Sequence, residues 1–196
     1  LPEFSRYVLE HLRQPLEDGF VNISRVTGSY TFPAQFLLIA SMNPCPCGYL
    51  NDPKSGCMCT YAQINKYKKK ISGPLLDRFD IVIEVPNLLS KNLTNNKTPE
   101  PSVTIRNRVC KAFEKQKKRF NKTSINTNND IPPGKISTYC NMSEYAEQIL
   151  HAAFEKQKLS ARGYFKIQKV ARTIADLDNA EIIETQHIAE ALQFRP

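Results

Sequence analysis

Between residues 5 and 18, apolar side chains recur at Val8, Leu9, Leu12 and Leu16 with helical spacing, and Gly19 is a natural stop. Residues 20–24 then alternate like a strand. Residues 25–29, with Gly28, read as a hairpin tip, and 30–32 as the return strand, ended by Pro33. The run 35–40 is continuously apolar, the pattern of a central parallel strand covered on both faces. After a cysteine-rich loop, Thr60 is placed to cap a helix carrying Lys66, Lys68, Lys69 and Lys70. Ser72-Gly73-Pro74 breaks that helix, 75–79 forms a short turn, and 80–85 is a second buried strand. Two apolar strands separated by helical material predict an open α/β sheet.

Residues 86–101 are polar, Asn-rich and bounded by prolines, the composition of a linker. No strand pattern follows. A basic helix over 102–120 is expected to turn Val103, Val109, Ala112 and Phe113 inward. A loose, Asn- and Thr-rich segment covers 121–133. Helices follow over 143–158, 160–177 and 185–193, each opened by Ser or Thr. The expected organisation is a partial α/β layer over residues 1–100 and a helical domain over 101–196.

Length and composition fit a soluble globular protein of 196 residues. No apolar run approaches the roughly 20 residues of a membrane span, and no signal peptide opens the chain. A reducing cytoplasm, and no membrane partner, are therefore expected. The chain lacks an initiator Met and drops at once into a helix, so it reads as part of something larger. A net charge of +8 and a pI near 9.2 point toward a polyanionic partner; a solvated lysine-rich surface is the plainer alternative.

Four of the six cysteines, Cys45, Cys47, Cys57 and Cys59, lie within fifteen residues as two C-x-C pairs nine residues apart. A Gly- and Pro-containing loop lets the pairs converge, and four thiolates suit tetrahedral Zn²⁺. Reduced thiols in a rigid turn, or disulfides, satisfy the same spacing. Cys110 and Cys140 read as ordinary buried thiols. His11, His151 and His187 are isolated, as core or surface residues are. Asn43, at the end of the first apolar run, is placed to aim a polar side chain into a site.

Long strings resemble the magnesium-chelatase-like group of AAA+ ATPases, and within it the competence-associated ComM/YifB family. They include Leu1-Pro2-Glu3-Phe4, Asn43-Pro44-Cys45-Pro46-Cys47-Gly48, residues 72–80, Leu159-Ser160-Ala161-Arg162-Gly163-Tyr164 and residues 169–177. The resemblance covers nearly the whole chain. It implies the C-terminal part of a P-loop-type parallel sheet core followed by an all-helical lid. It also implies ATP and Mg²⁺ as cofactors and self-assembly into a hexameric ring. In this family Leu-Pro-Glu-Phe follows the acidic pair of the Walker B strand, with the P-loop further upstream. No G-x-x-x-x-G-K-S/T string occurs here, so the chain alone is not expected to hydrolyse ATP.

The resemblance assigns roles by position. Asn43 matches the first sensor, near the γ-phosphate and attacking water. Arg78 matches the arginine finger, which completes a neighbouring subunit's site; local pairing with Asp77 or Asp80 is its plainer reading. Arg162 matches the second sensor. Arg172, ten residues on, is either an alternative phosphate contact or an i+4 partner of Asp176. Residues 20–32 match a β-hairpin that helicase relatives project into the ring pore, with Arg25 near its tip. Lys66, Lys68, Lys69 and Lys70 are the second candidate contact for a nucleic-acid backbone. The resemblance implies an ATPase that remodels DNA by branch migration or helicase-type work. Metal insertion into a porphyrin, and a non-enzymatic zinc module binding nucleic acid or protein, are the alternatives.

Overall fold

A computed structural model describes residues 1–50, 52, 56–86, 99–157 and 159–195. Most of the expected linker over 86–101 lies outside them. The described residues divide into two compact units, one built on residues 1–79 and the other on Asp80–Ile83 with the helices that follow residue 101.

In the first unit the expected helix over 5–18 is two helices, α1 (Arg6–His11) and α2 (Arg13–Asp18). Pro15 explains the break, because it has no N–H to donate to the His11 carbonyl one turn earlier. Gly19 ends α2 at φ 72°. Strands β1 (Phe20–Arg25) and β2 (Gly28–Pro33) form an antiparallel hairpin in which Ile23 faces Tyr30 and Val21 faces Phe32. Helix α3 (Tyr61–Lys68) starts at Thr60 as expected: Thr60 Oγ1 accepts from Gln63 N–H while Gln63 Oε1 accepts from Thr60 N–H. Helix α4 (Gly73–Leu76) follows, capped by Ser72. Leu9, Ile71 and Leu75 make a small core, with Leu12, Leu16, Leu76 and Phe79 around it.

The expected parallel sheet is not formed among the described residues, where the hairpin is the only sheet. Residues 35–40 and 80–85 form no helix and belong to no ladder. Leu37 and Ile39 are each 85% exposed and Val85 81%. The apolar runs suit a sheet interior, yet a central strand exists only where neighbours hydrogen-bond to both its edges, and no such neighbours flank them among the described residues.

The second unit is helical: α5 (Ser102–Arg119), α6 (Ile136–Tyr139), α7 (Glu144–Gln157), α8 (Ala161–Leu177) and α9 (Thr185–Gln193). Helix α8 is its centre, burying Ile167, Ala171, Ile174 and Ala175 against Leu150, Ile183 and Ile188. The segment after Phe79 joins this unit: Val82 N–H donates to Phe194 O (2.8 Å), and Asp80 pairs with Lys166 (2.7 Å). Ser160 caps α8 as expected, accepting from Gly163 N–H (3.0 Å). The other two caps differ. Ser143 Oγ is buried with no partner, and α9 is capped by Glu184, whose N–H donates to His187 Nδ1 (2.9 Å). That bond leaves the proton of a neutral His187 on Nε2, facing Asp178 at 3.2 Å.

Three further expectations are corrected. In α5, Ala112 is buried but Val103, Val109 and Phe113 are 69%, 52% and 42% exposed, and Cys110 is exposed too. Only the C-terminal half of that helix meets α8. The segment 121–133 is built into the core: Ile131 is fully buried, Ile125 nearly so, and Asn128 is 2% exposed.

Candidate functional site

The cysteine loop brings its four thiols together. Cys45 is fully buried, and Gly48, at φ 85°, turns the chain back so that its N–H donates to Cys45 O (3.1 Å). A side chain at position 48 would strain that left-handed turn. The Cys45, Cys47 and Cys57 sulfurs are 3.3–3.6 Å apart, and Cys59 Sγ lies with them inside a 4.8 Å group. A tetrahedron with bonds of about 2.3 Å has edges of about 3.8 Å, whereas a disulfide needs about 2.0 Å. All six cysteines are free thiols.

Protons are shared unevenly within this cluster. The Tyr49 backbone N–H and the Cys45 thiol bring Cys47 down to about 6. The Cys59 N–H pulls Cys57 down, but desolvation and the Cys47 and Cys45 thiols outweigh it and push Cys57 up to about 12. Cys59 is raised as well, desolvation and the Cys47 and Cys45 thiols outweighing its backbone hydrogen bond from Cys47. A thiophilic dication at the centre would replace those protons with a charge that stabilises every thiolate. The donor set, its size and its shape fit Zn²⁺, held by Cys45, Cys47, Cys57 and Cys59.

Asn43 precedes this loop and is exposed. Tyr67 on α3 is 7% exposed, and the Asn43 backbone lies close enough to its phenol to lower its pKa. Burial and the charge of Glu3 outweigh this and hold that phenol above its ordinary range, so it stays neutral. Lys66, Lys68, Lys69 and Lys70 are all exposed on or just beyond α3. Lys66 and Lys68 lie in its last turn, where cations also complement the helix dipole. Arg25 is exposed near the hairpin tip, next to Val26, which is wholly in solvent.

Arg78 is held between α2 and α4. Its Nε donates to Arg13 O (2.9 Å), its Nη1 to Pro74 O (2.6 Å), and its Nη2 pairs with Glu17 (3.2 Å). The carboxylate that sequence reading missed is Glu17, sixty-one positions away and without any local spacing signal. Arg162 is exposed in the first turn of α8. Arg172 is a correction to its nomination as a phosphate contact. Its side chain is 1% exposed, donates to Glu181 O and Ala180 O (both 2.7 Å) and pairs with Asp176 (3.1 Å). Ten residues amount to about 1,000° of helical rotation, an offset of about 80°, and this end of α8 is embedded. The i+4 pairing with Asp176 is the one present.

Comparison with known proteins matches residues 1–93 to the family "Magnesium chelatase, subunit ChlI" and residues 99–195 to "Magnesium chelatase, subunit ChlI C-terminal". The chain belongs to the magnesium-chelatase-like AAA+ family. Relatives include the competence protein ComM of Haemophilus influenzae, 41% identical over 196 residues that cover all of this chain and 37% of ComM. The uncharacterized protein YifB of Escherichia coli K12 is 39% identical over 199 residues, again covering all of this chain and 38% of the relative. The chain thus spans under two fifths of the length of these curated relatives. No helix among the described residues is long and apolar enough to cross a membrane.

Proposed function

We propose that this chain is the rear portion of a cytoplasmic, ring-forming ATPase that uses ATP and Mg²⁺ to remodel DNA, by branch migration or helicase-type work. The observation that carries this reading is the end-to-end match to both parts of the magnesium-chelatase-like family together with the likeness to a competence protein. The net charge of +8 fits a polyanionic substrate. Residues outside this chain supply the phosphate-cradling loop and the strands that would pair with 35–40 and 80–85. Within it, Asn43 acts as first sensor, Arg162 as second sensor, and Arg25 on the hairpin touches the DNA backbone.

In this reading Arg78 stabilises the phosphoryl group bound in the neighbouring subunit of a hexamer, and must leave Glu17 to do so. The Cys45, Cys47, Cys57 and Cys59 thiolates hold a structural Zn²⁺ that braces the loop after Asn43. The test is ATP hydrolysis by the protein as its gene encodes it, with and without forked DNA. Stimulation by DNA is expected, and mixing Arg78→Ala subunits into wild-type rings should depress the rate more than in proportion to their fraction. A second reading, ATP-driven metal insertion into a porphyrin, draws on the family name itself. Hydrolysis that ignores every DNA and rises only beside a porphyrin-binding subunit would establish that reading instead.

A further inference from the structure

Residues of α1 and α3 enclose a shallow depression of about 450 Å³ lined by Arg6, Ala62, Asn65, Lys66, Lys69 and Lys70. It has four cations and no carboxylate in its lining. Lys66, Lys69 and Lys70 stand at i, i+3 and i+4 and so share one side of their segment, while Arg6 reaches the same concavity from a second element. A merely solvated lysine stripe would be convex and would recruit no arginine from elsewhere. The acid next to Arg6 on α1 is Glu10, four residues on. One carboxylate oxygen pairs with Arg13 (2.9 Å), and Ser72, Arg13 and the charge of Arg6 hold the group below the ordinary range. Among the described residues none of the four lining cations has an ion-pair partner.

Lys68 separates from this group. It lies on the same helix and is also exposed, yet does not line the depression. The walls also offer no aromatic ring for a base to stack on and no glycine-rich turn to wrap a terminal phosphate. What remains is an open concavity whose walls carry four cationic side chains and one amide, a chemistry suited to a phosphate backbone rather than to base recognition.

We propose that the concavity between α1 and α3 binds the phosphate backbone of a nucleic-acid strand through Arg6, Lys66, Lys69 and Lys70, with Lys68 taking no part. This rests on the DNA-remodelling reading and names one surface that carries the strand. Recognition is independent of base sequence.

The test is binding of a fluorescent thirty-nucleotide oligo(dT) by the protein as its gene encodes it, followed by anisotropy across a salt series. Lys66→Glu and Lys69→Glu should each weaken binding about tenfold and lower the salt slope by about one. Lys68→Glu, with the same net charge, should stay within about twofold of wild type. All three side chains are exposed, so unchanged melting verifies that the variants fold. Equal losses at Lys68 and Lys69 would show diffuse electrostatics and overturn the site, as would wild-type binding by Lys66→Glu/Lys69→Glu. Displacement of the oligonucleotide by millimolar ATP, lost in the same variants, would assign the concavity to free nucleotide and also overturn it. DNA-stimulated hydrolysis that survives in the groove variants with unchanged DNA affinity sinks the groove alone. Groove-dependent binding without any stimulation sinks the motor and leaves the groove.

Discussion

The two units reach order by different routes. The helical unit has one continuous apolar core of fourteen buried residues, and a polar network crosses it. Asp176, with a fully buried side chain, accepts from Arg119 Nη1 (2.8 Å) and Asn128 Nδ2 (2.9 Å), touches Arg119 Nη2, and pairs with Arg172 (3.1 Å). Asn128 N–H donates to Gln116 Oε1 (2.9 Å). Among the described residues the first unit buries only Leu9, Ile71 and Leu75 as its apolar cluster, leaves its hairpin largely exposed, and gathers its cysteines around a space a metal would fill. A unit with a full core is stable through what it contains. A unit with a small core leans on ligands and neighbours.

Each of these routes can be broken separately. The largest effect should come from the metal. Cys45→Ser, or a strong chelator, should abolish zinc binding and melt the first unit's signal while the helical unit's transition stays in place. Zinc content and calorimetry together check this, and binding energy on the order of 10 kcal/mol is at stake for a four-thiolate site. Next is Asp176→Ala, which strands Arg119 and Arg172 without their anion and should cost about 3–5 kcal/mol in denaturant unfolding of the second unit. Leu150→Ala, at a fully buried core position, should cost about 2–5 kcal/mol in the same assay.

Acid gives a subtler separation. Burial alone would raise the Asp176 pKa, but hydrogen bonds from Arg119 and Asn128 and the charge of Arg172 lower it below 3.8. A depressed carboxyl contributes stability that is full above its unfolded value and fades as pH falls through the folded one. The second unit should therefore weaken below about pH 4, and the Asp176→Asn variant should show a flatter profile there. The smallest effect is Thr60→Ala, which removes the α3 cap for about 1 kcal/mol. It should register in the first unit only.

Local features were legible in the sequence wherever a short stretch decides them. Gly19 as a stop, the hairpin around Gly28, the Thr60 and Ser160 caps and the convergence of Cys45, Cys47, Cys57 and Cys59 all follow from neighbours within a few positions. Where the outcome depends on distant partners, the pattern misled. Residues 35–40 have the composition of a sheet interior, but a ladder requires strands that periodicity does not supply. Residues 121–133 look loose because Asn and Thr suit solvent. Asn128 is instead drawn inside by Asp176, forty-eight positions away. Arg172 shares its residue type with phosphate contacts; its i+4 spacing to Asp176 left both roles open, and packing, with the Ala180 and Glu181 carbonyls, decides between them.

The clamp at Asp176 has a mechanical corollary for α5. Arg119 and Gln116, at its C-terminal end, are pinned, whereas Val103, at the other, is 69% exposed. Residues 102–111 project beyond the packed half as an arm about 15 Å long at 1.5 Å per residue. Rotating the packed half by about 5° would sweep the far end through about 1 Å, so this helix can enlarge a small adjustment around Asp176.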